Sequence, residues 1–119
     1  MRMALVIDDE LDICLMITKH LQNMHFQTHY ARTVKDAQEK MAIPPYDLMM
    51  IDLNLPDGSG FDVMQNIRDL KLKSKIIVIS AHDSEYDRAL AMGASLFLTK
   101  PFTTRTINEA LKTLNLMPN

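Results

Sequence analysis

Five side chains at the ends of short apolar runs could act together. Asp8 and Asp9 follow Met3-Ala4-Leu5-Val6-Ile7, and Asp52 closes Asp47-Leu48-Met49-Met50-Ile51-Asp52. Ser80 closes Ile76-Ile77-Val78-Ile79-Ser80, and Lys100 follows Leu96-Phe97-Leu98-Thr99. Clustered carboxylates cannot all stay ionised without a counter-charge. Oxygen-only ligands suit a hard divalent cation, Mg²⁺ (or Mn²⁺), which commonly takes one or two carboxylates plus water. An aspartate oxygen left beside that cation can act as a nucleophile toward a phosphoryl group. A flanking ammonium (Lys100) and a hydroxyl donor (Ser80) would meet the charge spread over the transferred group. The reading is phosphorylation of Asp52 itself. Taken singly, each residue has a plainer role: Asp8 or Asp9 as a helix cap, Asp52 opening an Asx-turn, Lys100 as a solvated lysine. Their joint placement is what favours chemistry.

That placement depends on the elements carrying them. Strands are expected at about 3–7, 26–30, 47–52, 75–80 and 95–99, alternating with helices. The first helix carries Leu11, Cys14, Leu15, Thr18 and Leu21 along one face. Gln27 and His29 make the second strand an edge. Thr33 caps a helix burying Val34, Ala37 and Met41, which Pro44-Pro45 ends. A third helix begins near Gly60 and buries Val63, Met64, Ile67 and Leu70. A fourth spans about 84–92, with Gly93 at its left-handed end. A fifth starts near Thr103 and buries Ile107, Ala110, Leu111 and Leu114. This alternation gives an α/β doubly wound sandwich, a flavodoxin-like (βα)5 fold with a five-stranded parallel sheet of order 2-1-3-4-5. Its ligand site lies where strands one and three diverge, at the ends carrying Asp8-Asp9 and Asp52.

The 119 residues are read as one domain, 1–119, with 47% hydrophobic and 24% charged residues. A net charge of -2 without a basic run argues against direct nucleic-acid or membrane binding. The single cysteine, Cys14, fits a reducing compartment, and no leader or spanning segment is legible, so a cytoplasmic location is expected. The ten methionines are expected to fill core. The four histidines lack metal-ligand spacing, and Asp57 is expected to be a turn residue.

The chain resembles the receiver domain of two-component response regulators over essentially its whole length. The resemblance rests on Asp8-Asp9, Asp52, the loop Leu55-Pro56-Asp57-Gly58-Ser59-Gly60, Ser80, Gly93-Ala94 and Lys100-Pro101-Phe102, in that order. It implies that Asp52 is the phosphoacceptor and that Asp9 directly, Asp8 largely through water, Asp52 and the Asn54 backbone carbonyl hold Mg²⁺. Lys100 would pair with the phosphoryl group, and the Lys100–Pro101 peptide would be cis. Ser80 and Phe97 would form the switch, Phe97 turning inward as Ser80 moves; His82 and Asn54 would set how long the phosphoryl group survives. Ser80 stands where threonine is commoner, and Phe97 where tyrosine is often found. The implied partners are a histidine kinase or phosphotransfer protein and an output domain or partner protein, reached through the helix 4–strand 5–helix 5 face. Transcription is one output this allows, and a phosphorylation-dependent homodimer is another use of that face. The domain would assist its own phosphorylation and dephosphorylation without being an enzyme. The alternatives are an aspartate-nucleophile phosphohydrolase, which usually needs an aspartate where Asn54 stands, and a phosphorylation-independent interaction module, whose mark would be loss of an acidic or lysine position. A flavin-binding protein fits less well, because Asp8-Asp9-Glu10 would repel phosphate.

Overall fold

The computed structural model describes residues 1–43 and 45–118. Five parallel strands, β1 (Arg2–Ile7), β2 (Phe26–Ala31), β3 (Leu48–Asp52), β4 (Lys75–Ser80) and β5 (Leu96–Thr99), form one sheet in the order β2-β1-β3-β4-β5. The helices are α1 (Leu11–Asn23), α2 (Val34–Met41), α3 (Gly60–Asp69), α4 (Tyr86–Ala91) and α5 (Thr104–Thr113). This is the flavodoxin-like arrangement expected from the sequence, with β2 at an edge.

Strand residues alternate between two cores, as the two-residue side-chain period requires. Leu5, Ile7, Met49, Ile51, Ile76 and Val78 face the side covered by α2, α3 and α4. Ala4, Val6, Leu48, Met50, Ile77 and Ile79 face the side covered by α1 and α5. The strands are apolar on both faces because both faces are covered. Met49, Met50 and Met64 fill core as expected, whereas Met1 is exposed.

Thr33 caps α2, its hydroxyl accepting from Asp36 N–H at 3.0 Å, and Val34, Ala37 and Met41 are buried. Pro44, half of the expected stop signal, lies outside the described residues. Gly93 (φ 108°) ends α4; its N–H donates to the Leu90 carbonyl and Ala94 N–H to the Ala89 carbonyl. That left-handed position is one glycine tolerates at no steric cost.

The helices depart from expectation at four places. On α1 the buried stripe is Cys14, Ile17, Thr18 and Leu21, while Leu11 and Leu15 face out, Leu15 at 49% exposure. Leu70 is the C-cap of α3, at the end of the helix, and is 58% exposed rather than buried. The fourth helix is shorter than 84–92: Asp83–Glu85 form a 3₁₀ turn and α4 proper begins at Tyr86. Leu114 of the α5 C-cap is only half-buried, unlike Ile107, Ala110 and Leu111.

Candidate functional site

The alternation that sorts the cores also sorts the site. Asp52 has the same parity on β3 as Leu48 and Met50, and Asp8 continues the parity of Ala4 and Val6; both belong to the α1/α5 side. Lys100 continues the parity of Leu96 and Leu98, so it belongs there too. Ser80 has the opposite parity on β4, and Phe97 packs against the α2/α3/α4 core. One strand edge thus divides into an ionic half and a switch half.

In the ionic half the Lys100 ammonium lies 3.1 Å from Asp52 Oδ2, 3.0 Å from Asp8 Oδ2 and 3.6 Å from Glu10 Oε1. It donates a hydrogen bond to Asp52 Oδ2. Asp52 Oδ1 accepts from Asn54 N–H at 3.1 Å, and Asp8 Oδ1 from Glu10 N–H at 2.8 Å. Both carboxylates are buried, Asp8 at 0% exposure. The Lys100–Pro101 peptide is cis, as the resemblance implied.

Burial dominates the titration of these acids. It raises the Asp8 carboxyl to about 6; the Glu10 N–H pulls the other way, the Asp52 charge adds to the rise, and Lys100 offsets part of it. Asp52 is also raised, first by burial, against the Asn54 N–H and the Lys100 ammonium, with the Asp9 charge adding to the rise. For Lys100, burial works to lower the value but is outweighed by Asp8 and Asp52, so the ammonium is held charged above its ordinary range. One cation shared by two buried carboxylates leaves the edge short of positive charge.

The donor set fits a divalent cation. One carboxylate oxygen from each of Asp8, Asp9 and Glu10 lies within 4.8 Å of the others. Asp8 Oδ2 is the one buried side-chain polar atom without a hydrogen bond among the described residues; the nearby ammonium attracts it but is not aligned to donate. A buried oxygen of this kind needs a partner. Glu10 was not expected in the group. Its signal in the sequence was only its adjacency to Asp8-Asp9; the reach to Lys100 comes from the fold.

The loop after β3 is built tightly. Asn54–Leu55 and Gly58–Ser59 pair as a short antiparallel hairpin. Ser59 Oγ accepts from Phe61 N–H, and Asp62 accepts from Ser59 N–H, capping α3. A Cβ on Gly60 would lie 2.4 Å from the Asp52 carbonyl oxygen, so only glycine lets α3 start this close to the Asp52 backbone. Asp57 is more than a turn residue. Its carboxylate accepts from Val34 N–H at 2.7 Å and Lys35 N–H at 3.1 Å, fastening the loop to the start of α2. These two bonds hold its carboxyl below the usual carboxylate range.

In the switch half Ser80 Oγ accepts from His82 N–H at 3.1 Å and sits 3.3 Å from the His82 carbonyl as donor. Phe97 meets Tyr86 of α4 edge-on, ring centroids 5.6 Å apart. The histidines take no part in the acidic cluster.

The family model for the response regulator receiver domain matches residues 4–112. The chain belongs to this family. Receiver domains are signalling domains of two-component systems that carry a phosphoacceptor and interact with histidine kinases and output domains. The response regulator protein PilR of Pseudomonas aeruginosa is 39% identical over 112 residues, 92% of this chain and 25% of that protein. The alkaline phosphatase synthesis transcriptional regulatory protein PhoP of Bacillus subtilis is 31% identical over 112 residues, covering 92% and 47%. This receiver domain chain therefore spans between a quarter and about half the length of these curated relatives. Among solved structures, the response regulator protein TrrA of Thermotoga maritima in complex with Mg(2+)-BeF is 29% identical, with a TM-score of 0.85, over 96% of this chain and 99% of that one. A CheY-like receiver domain from Methylobacillus flagellatus is 26% identical, with the same TM-score of 0.85, over 96% and 98%.

Proposed function

We propose that this receiver domain accepts a phosphoryl group on Asp52 from a histidine kinase or phosphotransfer protein. The observation that carries the reading is the Lys100 ammonium held between Asp52 and Asp8 on the sheet edge. Asp52 is buried and its carboxyl is raised, so its ionised oxygens are poorly solvated and more basic than an ordinary aspartate's. Lys100 keeps them ionised. An Asp52 oxygen forms the new O–P bond as the P–N bond of the phosphohistidine breaks, and the electron pair leaves with the imidazole. Lys100 then turns its ammonium to a phosphoryl oxygen. Mg²⁺ (or Mn²⁺), held by Asp8 and Asp9 with Asp52 and the Asn54 carbonyl, supplies neutralising charge to the phosphoryl oxygens when bound.

Ser80 gives up its contacts with the His82 backbone to donate to a phosphoryl oxygen. Phe97, on the same side of the sheet, turns into the space released and leaves Tyr86, which changes the α4–β5–α5 face. A phosphoryl group adds charge and acceptor oxygens, and here it biases one side-chain pair. The output is control of a partner or effector domain through that face, and transcriptional control fits the relatives. A homodimer formed through the same face on phosphorylation is part of this reading.

Incubation with Mg²⁺ and acetyl phosphate tests it. Intact mass should show one added phosphoryl group on the wild-type chain and none on Asp52→Asn. No gain by the wild type, or an equal rate in the variant, defeats the proposal.

A further inference from the structure

Beside the phosphoacceptor edge, on the switch side, lies a shallow pocket of about 280 Å³ lined by Asn54, Phe61, Ser80, His82, Glu85 and Arg88. It adjoins Asp52 through two of its walls: Asn54 N–H bonds Asp52 Oδ1, and Ser80 ends the strand paired with β3. Arg88 comes from α4. Its guanidinium carbon lies 4.0 Å from the centroid of the Phe61 ring, which is itself buried. Stacking on a fixed ring restrains a long side chain that would otherwise sample many rotamers, and leaves its N–H donors free at the rim. Arg88 forms no ion pair among the described residues, although Glu85 borders the same pocket. Phosphoryl transfer to Asp52 draws on Lys100, which belongs to the opposite side of the sheet, and leaves this second cation without a role.

We propose that Arg88 is a specificity residue for phosphodonors, favouring small acyl phosphates over donors with a neutral leaving group. The inference rests on Asp52 being the phosphoacceptor. In transfer from acetyl phosphate the P–O bond to the acyl oxygen breaks, the electron pair leaves on acetate, and an Asp52 oxygen forms the new O–P bond. The departing group is an anion that needs no proton, so a guanidinium in the pocket stabilises it as its charge develops. In transfer from phosphoramidate the P–N bond breaks and the amine leaves neutral after taking a proton, which gives a cation nothing to hold. The anionic donor also gains more from a fixed positive charge as it approaches.

The test compares initial rates of Asp52 phosphorylation with acetyl phosphate and with phosphoramidate, both with Mg²⁺, read by intact mass. Arg88→Met keeps an apolar chain over Phe61 without the charge; Arg88→Lys keeps a charge. The ratio of the acetyl phosphate rate to the phosphoramidate rate should fall about tenfold in Arg88→Met and stay near wild type in Arg88→Lys. An unchanged ratio in Arg88→Met overturns the proposal, whether the two rates hold or fall together, because loss of structure slows both donors alike. Failure of the wild type with both donors is a different result: it removes the phosphoacceptor reading and this one with it.

Discussion

Asp8 shows what the buried edge does to a single group. Its carboxyl is raised from 3.8 to about 6, with burial the largest cause. A folded-state value above the unfolded one means the native protein holds the proton more tightly. The stabilising contribution is complete below about pH 4 and is lost as pH rises through about 6. Asp8→Asn keeps an acceptor for Glu10 N–H and removes the charge. In metal-free buffer at pH 7.5 it should raise stability by about 1–3 kcal/mol, since each tenfold change in proton affinity corresponds to about 1.4 kcal/mol. At pH 4.5 the gain should shrink toward zero. Urea midpoints at the two pH values measure this, and a gain equal at both would show that Asp8 is not the titrating group. The residue types of the site were legible because each closes an apolar run. Which partners they share was not: the reach of Lys100 to Asp8 and Glu10, and of Asp57 to the start of α2, joins positions far apart in the chain and is fixed only by packing.

Among the elements, α1 is where periodicity misled. Leu11, Cys14, Leu15, Thr18 and Leu21 satisfy helical spacing, but so do Cys14, Ile17, Thr18 and Leu21. A helix with apolar residues on more than one side does not state which side meets the sheet, whereas α2, with a single apolar stripe, did. The buried choice makes Ile17→Ala costly, by about 2–5 kcal/mol, because it leaves a cavity against fully buried neighbours. Leu15→Lys should stay within about 0.5 kcal/mol of wild type. If thermal or urea unfolding reverses that order, the assigned face of α1 is wrong. The start of α3 carries a second demand. Gly60→Ala places a methyl 2.4 Å from the Asp52 carbonyl oxygen and 2.9 Å from Ile51 Cγ2, neither of which can yield without moving β3. It should cost about 2–3 kcal/mol and, because it displaces the backbone of Asp52, should also slow phosphorylation in the acetyl phosphate assay. A variant that unfolds at the wild-type urea concentration would show that the loop can yield.

At the scale of the whole molecule, strand order and the location of the site were legible together. Parallel strands joined by right-handed crossovers put all C-terminal ends on one edge, and the order 2-1-3-4-5 puts β1 beside β3 there. The same topology concentrates acid. A chain with a net charge of only -2 gathers Asp8, Asp9, Glu10 and Asp52 around a single lysine. Its overall stability should therefore respond to divalent cations, since a ligand that binds only the folded state stabilises by mass action. That response should depend on pH with a sign set by Asp8. Below about pH 6 the carboxyl holds its proton, and a cation must displace it in order to bind; above, the site is already ionised. Adding millimolar Mg²⁺ should raise the melting temperature clearly at pH 7.5 and much less at pH 5.0, while Asp8→Asn should reduce the rise at pH 7.5 and lessen its pH dependence, the raised Asp52 carboxyl supplying what remains. Equal Mg²⁺ shifts at both pH values in the wild type would mean that the cation is held without Asp8, and the ligand set would then have to be drawn from Asp9, Glu10, Asp52 and the Asn54 carbonyl.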